Sequence, residues 1–347
     1  MTILENGKLH RVVKRLRKLL APKALILMYH RVAEVNSDPW SLCVTAHNFA
    51  EQLEVLQKYY QPMGLQQLAQ AHRDENIPHR TVVVTFDDGY ADNLHVAKPL
   101  LEQYNIPATV FVTTGYLGRE REFWWDELER LLLQPTSLPE KLCLSLNGNS
   151  QQWDLSENDY EQGDCLRHGR AERQIQPWES KPGSRLFFYY SVWQQLQPLP
   201  EAEQLHVLDQ ILTWAETEPV TRSHYRSLLP EEVCLLAQGG LVEVGAHTVT
   251  HPLLSAHSVA FQQEEIQRSK AYLEEILQRP VTSFSYPFGN YTAQTVSLIQ
   301  AAGFSCACST VADTVWRDSD CFQFPRFQVQ NWNGEEFAKR IFRWFYD

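Results

Sequence analysis

The sequence predicts an α/β protein whose parallel strands close into a barrel interrupted by a large inserted subdomain. Three observations predict it. Short apolar runs alternate with helix-like segments, the pattern of buried parallel strands joined by crossover helices. The charged and polar motifs follow directly on those runs: Asp87-Asp88 after Val82–Val84, His247 and His251 after the Leu241–Val244 run, and Tyr286-Pro287-Phe288-Gly289 at the end of a third. A site gathered from several strand ends is the habit of β/α barrels. A doubly wound sheet favours a glycine-rich phosphate turn, and neither G-x-G-x-x-G nor G-x-x-x-x-G-K-[ST] occurs.

In chain order, Ala24–Tyr29 reads as a strand, and Thr45 as the cap of a helix through Phe49, Leu53 and Leu56. Thr81–Phe86 is a strand, Asp92–Tyr104 a helix carrying Val96, Leu100 and Leu101, and Ala108–Thr113 a strand. Residues 118–229 interrupt the alternation with Trp124-Trp125, a hairpin signal at Asn147-Gly148, and two helical stretches, Arg185–Leu196 and Glu201–Glu216. A segment this long is not a bare loop, so a subdomain over or beside the catalytic face is expected. The alternation resumes with a helix over Pro230–Gly239, proline at its start and glycine at its end. Val242–Gly245, Val281–Tyr286 and Ser305–Ser309 read as strands; Ser258–Leu277, Thr292–Ala302 and Gly334–Trp344 read as helices.

The chain has 347 residues, 44% hydrophobic and 21% charged, the composition of a soluble globular protein with ample length for a core. A net charge of −11 argues against nucleic acid as a partner. No apolar run approaches the roughly 18 residues of a membrane helix, and the N-terminus lacks a secretory pattern. Seven cysteines without a spacing framework read as free thiols, with Cys306 and Cys308 as strand-packing residues. Together these predict a cytoplasmic protein. Residues 1–20 form a basic amphipathic pattern, with Lys8, Arg11, Lys14, Arg15, Arg17 and Lys18 between Val and Leu positions. A helix there, through residues 8–20, suits either packing on the domain or peripheral contact with an anionic membrane surface.

Two adjacent acids after a buried strand demand a compensating cation, because like charges that close raise one pKa. The histidines four apart can aim both rings at one point from a helical turn or a tight loop. With one carboxylate they make a two-His, one-acid set, suited to a hydrolytic zinc centre. Non-haem iron oxygenases use the same ligand types, but with an acid two residues after the first His, where this chain has Val249. If Asp88 binds metal, Asp87 is left to take a proton from water, which describes hydrolysis of an amide or ester. Alone, an Asp-Asp-Gly is a turn and a His-x-x-x-His a chance pair; their joint placement at strand ends carries the reading.

Thr85-Phe86-Asp87-Asp88-Gly89-Tyr90, His247-Thr248-Val249-Thr250-His251-Pro252 and Ser285-Tyr286-Pro287-Phe288-Gly289 resemble three signatures of the polysaccharide deacetylases (carbohydrate esterase family 4, the NodB homology fold). The resemblance covers roughly residues 24–117 and 230–347. It implies a distorted, incomplete (β/α)7 barrel in which Asp88, His247 and His251 hold the metal, usually zinc. Such a ligand set also admits Co2+, Ni2+ or Mn2+. It implies Asp87 as the base and the Phe288 backbone N–H as an oxyanion donor.

Two departures stand out. Many members carry arginine where this chain has Ser285; Arg326, in Phe324-Pro325-Arg326-Phe327, is the candidate to reach Asp87 instead. No late Leu-x-His supplies a general acid. His30, in Met28-Tyr29-His30-Arg31-Val32, is placed as in the deacetylases of poly-N-acetylglucosamine exopolysaccharides, since first and last strands of a barrel are neighbours. Tyr90, Pro287, Tyr291 and Trp124, with Trp125, are candidates for contact with the sugar, core packing being the competing role of the tryptophans. The expected activity is metal-dependent removal of N-acetyl groups from an N-acetylated polysaccharide, oligosaccharide or lipid-linked precursor, with release of acetate. The alternatives are hydrolysis of a non-sugar amide or O-acetyl ester by the same centre, or a degenerate saccharide-binding protein.

Overall fold

Strands that are apolar at every position must be covered on both faces, by helices on one side and by a closed sheet interior on the other. The computed structural model describes residues 22–146, 149–155 and 176–346. Apart from the two-residue runs Arg31–Val32, Cys43–Val44 and Gln61–Pro62, its strands are β1 (Ala24–Tyr29), β2 (Thr81–Phe86), β3 (Ala108–Val112), β4 (Lys141–Leu146), β5 (Asn149–Asp154), β6 (Val242–Ala246), β7 (Ser283–Ser285), β8 (Cys306–Cys308) and β9 (Phe327–Gln328). The main sheet runs β9-β1-β2-β3-β6-β7-β8 with every pair parallel. The short run Gln61–Pro62 pairs in parallel with the first two residues of β2, Gln61 opposite Thr81 and Pro62 opposite Val82. Neighbours in the sheet follow the sequence, and the last strand returns beside the first. A parallel bridge between Cys308 and Phe324 then ties β8 to the segment entering β9. The sheet is therefore curled, a (β/α)-barrel architecture.

Helices cover its outside. α1 (Ala46–Tyr59) is capped by Thr45, whose hydroxyl accepts from the Asn48 N–H at 3.3 Å. α2 (Leu65–Arg73), an element that sequence periodicity does not single out, is the exception, since its Leu65 and Leu68 pack with the inward-facing strand residues. The helix expected over 92–104 divides into a π turn (Asn93–Ala97) and α3 (Lys98–Tyr104), since Pro99 has no N–H to continue an α ladder from below. α7 (Pro230–Ala237), α8 (Val259–Leu277), α9 (Ala293–Ala301) and α10 (Gly334–Tyr346) complete the layer. β7 is shorter than the expected Val281–Tyr286 strand; Pro280 and Pro287 bracket it and supply no ladder N–H.

The interrupting segment holds α4 (Trp124–Leu133), the antiparallel pair β4–β5, α5 (Arg185–Leu196) and α6 (Glu201–Trp214). These pack on a cluster of their own, including Trp124, Leu128, Leu132, Tyr189, Val192 and Leu208. The basic helix expected over residues 1–20 lies outside the described residues. Among those described, no helix is long and apolar enough to cross a membrane.

Strand alternation sorts the barrel core into two clusters. Leu25, Leu27, Val82 and Val84 face the outer helices. Ala24, Ile26, Val83 and Phe111 face inward, where Leu65 and Leu68 of α2 join them. Followed two residues at a time towards the C-terminal ends, the inward register passes from Ile26 to Met28 and His30, and from Val83 to Thr85 and Asp87. In β6 it passes from Gly245 to His247. The apolar interior thus gives way to the polar residues that line a cavity at the top of the barrel. Gly245 has no room for a side chain: a Cβ there would sit 2.5 Å from the Phe111 ring and 2.7 Å from the Ser283 hydroxyl. Gly245→Ala should lower the unfolding free energy by about 1–3 kcal/mol in urea denaturation, the cost of overpacking a filled interior.

Candidate metal centre and active site

The two acids diverge because the backbone reverses between them. The Asp87 N–H donates to the Tyr29 carbonyl at 3.0 Å, which keeps Asp87 in register with β1 and aimed inward. Asp88 then takes φ 75° and Gly89 φ 82°, so alternation breaks and Asp88 also reaches the cavity. A left-handed aspartate is tolerated where a bulkier residue would be strained. At Gly89 a Cβ would press on Val112 at 3.2 Å. Both carboxylates are 3% exposed, so neither can rely on water to disperse its charge.

Arg326, fully buried just before β9, answers the first. Its NH1 and NH2 groups each donate to one Asp87 oxygen at 2.7 Å, a bidentate pair. NH2 also donates to the Ser285 hydroxyl at 2.8 Å, NH1 to the Thr85 hydroxyl at 3.1 Å, and Nε to the Ser309 carbonyl at 2.9 Å. Ser285 in turn donates to Asp87 at 3.2 Å. Burial alone would raise the Asp87 pKa, but the Arg326 charge and hydrogen bonds hold the carboxyl well below the ordinary carboxylate range. Among the described residues, no guanidinium pairs with Asp88 in this way. Burial, then the charge of Asp87, pushes its pKa well up.

Asp88 faces two imidazoles instead. Its Oδ1 lies 3.6 Å from His247 Nε2 and 3.4 Å from His251 Nε2. Each ring is placed by a partner. His247 Nδ1 lies 2.7 Å from the Ser285 carbonyl, which fixes Nδ1 as the donor and leaves the Nε2 lone pair towards Asp88. His251 arrives through a tight loop with left-handed residues at Thr248 (φ 65°) and His251 itself (φ 57°). Glu265 of α8 clamps that loop, one carboxylate oxygen accepting the Val249 and Thr250 N–H groups at 2.8 Å each. Gly115 accommodates the same loop, since a Cβ there would lie 2.5 Å from the Val249 carbonyl. Burial lowers the pKa of both histidines, so both are neutral.

One oxygen of Asp88 and one nitrogen from each of the two histidines lie within 4.8 Å of one another, all three residues buried. An aspartate and two neutral imidazoles around one point suit a divalent transition metal. A buried carboxyl group whose ionised form burial disfavours, turned to two neutral imidazoles, is the observation that a cation fits.

The remaining sequence candidates divide. His30 lines the cavity with Asp87, and burial lowers its pKa to about 4 despite the pull of Asp87. Phe288 sits at φ 56° in a turn closed by Gly289 N–H to Tyr286 O (2.8 Å) and Asn290 N–H to Pro287 O (3.0 Å). Neither of these bonds uses the Phe288 N–H, and the residue lines the cavity. Four candidates for sugar contact lie elsewhere. Tyr90 is fully buried, its ring 4.5 Å from the Arg31 guanidinium and its hydroxyl donating to Asp126 at 2.7 Å. Trp124 is fully buried in the core of the interrupting segment. Pro287 is buried within its turn. Tyr291 packs on Tyr286 with centroids 4.5 Å apart, on the helix-covered side. Aromatics beside a motif are here packing residues. Trp125 does reach the cavity, 4.7 Å from the His251 ring, its Nε1 donating to the Tyr90 hydroxyl at 2.9 Å. Sequence reading missed Glu265, whose only signal is an acid on the buried face of a helix, and the cavity residues Trp40, Trp178 and Trp193, which carry no motif.

The family model described as polysaccharide deacetylase matches residues 74–138 and 204–307. Asp87, Asp88, His247, His251 and Ser285 fall inside these stretches; His30 and Arg326 fall outside. Among curated relatives, the poly-beta-1,6-N-acetyl-D-glucosamine N-deacetylase of Escherichia coli (strain K12) is 32% identical over 84 residues, 24% of this chain and 12% of that one. The enzyme of that name from Staphylococcus aureus (strain MSSA476) is 29% identical over 110 residues, 28% of this chain and 38% of its own. The chain thus spans less than half the length of these curated relatives. The Streptococcus pyogenes deacetylase PplD, solved with acetate, shares the fold with a TM-score of 0.57 at 17% identity, over 92% of this chain and 99% of that one.

Arg326→Gln should cost about 3–5 kcal/mol in denaturation, because it strands the buried Asp87 charge. The folded pKa of Asp87 lies below its unfolded value of about 3.9, so the pair stabilises fully above about pH 4 and the effect fades in stronger acid. In the same variant, if Asp87 must be ionised to act, the acid limb of the pH profile of kcat/KM should move to higher pH.

Proposed function

We propose that this chain, which belongs to the polysaccharide deacetylase family, is a metal-dependent hydrolase that removes N-acetyl groups from an N-acetylated saccharide and releases acetate. The observation that carries the reading is the unequal environment of two adjacent carboxylates. Asp87 is held ionised by Arg326, and Asp88 is turned to two neutral imidazoles. Acid–base work and metal binding need this division of labour. The names of the two curated relatives support an N-acetylated saccharide as the substrate class.

Asp88, His247 and His251 would hold the cation, zinc or another divalent transition ion. When bound, it polarises the acetamide carbonyl and makes a coordinated water more acidic. Asp87 accepts a proton from the attacking water. Arg326 and Ser285 keep its carboxylate oriented and ionised, so proton acceptance is tied to catalysis rather than to resting protonation. As the water oxygen adds to the carbonyl carbon, negative charge grows on the carbonyl oxygen. The Phe288 N–H, fixed by its left-handed turn, is the backbone donor for that charge. The carbon–nitrogen bond then breaks, and the departing nitrogen needs a proton. His30, which lines the same cavity as Asp87, is the group that supplies it. Its lowered pKa means the ring rests neutral, so the proton it delivers is the one Asp87 has taken from the attacking water, passed to the ring and then to the departing nitrogen. Trp125, fixed through its N–H to Tyr90, excludes water from one side of His251.

Two variants separate the roles. Asp88→Ala should lose both bound metal, by elemental analysis, and acetate release from N-acetylglucosamine oligomers. Asp87→Asn should keep its metal while kcat falls by on the order of 10²–10⁴. An Asp87→Asn protein with undiminished turnover would remove the base from this scheme.

A further inference from the structure

The cavity does not end at the centre. It has a volume of about 500 Å³, within the range of roughly 300–1,000 Å³ typical of small-molecule sites. Its outer part is walled by residues from distant segments: Trp40 from the loop after β1, Gln176 and Trp178 ahead of α5, Trp193 on α5, Gln197 just after it, and Gln328 on β9. Four of these lie between the two stretches matched by the family model.

Ring contacts run without a break from the centre outward. His251 meets Phe288 at 4.5 Å between centroids, Phe288 meets Trp193 at 5.9 Å, Trp193 meets Trp40 at 4.5 Å, and Trp40 meets Trp178 at 6.0 Å. The rings are also fixed in place. Trp40 Nε1 donates to the Tyr189 hydroxyl at 2.7 Å, and Tyr190 stacks on Trp193 at 6.2 Å. Two of the amides are tied to the Trp40 loop: Gln176 Nε2 donates to the Ser41 hydroxyl at 3.0 Å, and Gln328 Nε2 to the Trp40 and Ser41 carbonyls at 3.3 and 3.2 Å. Yet the ladder ends in open solvent, with Trp178 55% exposed. Apolar surface left in water costs about 25 cal/mol per Å², so a braced stack that ends half-exposed at the mouth of a reactive cavity is better explained by a ligand than by packing.

Flat indole faces interleaved with neutral amides suit a pyranose ring, which offers C–H faces to the aromatics and hydroxyls to the amides. We propose that Trp40, Trp178 and Trp193, with Gln176, Gln197 and Gln328, form a stacking subsite for a second sugar ring. The preferred substrate is then a neutral N-acetylated oligosaccharide or polysaccharide rather than a monosaccharide. This rests on the deacetylase reading of the centre and assigns the interrupting segment a part in choosing substrate length.

The test uses N-acetylglucosamine and its β-1,4- and β-1,6-linked di- to pentasaccharides. Binding is read by tryptophan fluorescence on the metal-stripped full chain, and turnover by acetate release on the metal-loaded one. The expected result is at least tenfold tighter binding of an oligosaccharide series than of the monosaccharide. Trp178→Ala, at an exposed position that folding does not depend on, should raise KM for the oligosaccharides at least fivefold and for the monosaccharide less than twofold. Equal affinity for one ring and several, an unchanged length preference in Trp178→Ala, or tighter binding of a nucleotide diphosphate sugar or an acyl chain would each overturn the subsite. Length-dependent binding without acetate release from any probe would keep the subsite and discard the reading of the centre.

Discussion

The structure turns on the bidentate contact between Arg326 and Asp87. Two neighbouring carboxylates, both almost out of reach of water, cannot share one site as equals. A guanidinium at 2.7 Å from both oxygens of one of them breaks the symmetry. Asp87 stays ionised without a metal, and Asp88 is left with a charge that burial disfavours and two neutral imidazoles opposite it. Barrel closure makes the contact available. Arg326 immediately precedes the last strand, which pairs with β1, and β1 pairs with β2, whose end leads into the acids.

The same closure explains how a departure in one motif is compensated by another segment. Ser285 stands where many members of the family carry arginine, and its small side chain leaves room for the Arg326 guanidinium to approach from the other side. Ser285 is not passive, since its hydroxyl links Arg326 to Asp87 and its carbonyl holds the His247 ring. One residue thus touches the orienting network of the acid and of a histidine. His30 exploits the adjacency of first and last strands as well, reaching the cavity from the end of β1.

Local chemistry was legible in the sequence; its long-range completion was legible only in part. The strand runs, the acids after β2 and the histidines after β6 are contiguous signals, and alternation suffices to turn His30, Asp87 and His247 inward. Arg326 could be singled out as a candidate, but its contact with a residue 239 positions away depends on how the sheet closes. Aromatic residues were the least legible: Tyr90 stands in a motif yet packs in a core, and Trp124 takes the packing role that competed with sugar contact. The rings that do line the outer cavity, Trp40, Trp178 and Trp193, have no sequence neighbour to announce them. Elements set by tertiary context, such as α2 and the π turn before α3, were likewise outside the reach of periodicity.

The most direct test is a crystal structure of the metal-loaded protein, with diffraction recorded on both sides of the metal's absorption edge. The expected result is one anomalous peak about 2.0–2.2 Å from Asp88, His247 and His251, with Arg326 still engaging both oxygens of Asp87. A metal ligated by Asp87, or an Arg326 turned away from it, would contradict the division of roles between the two acids.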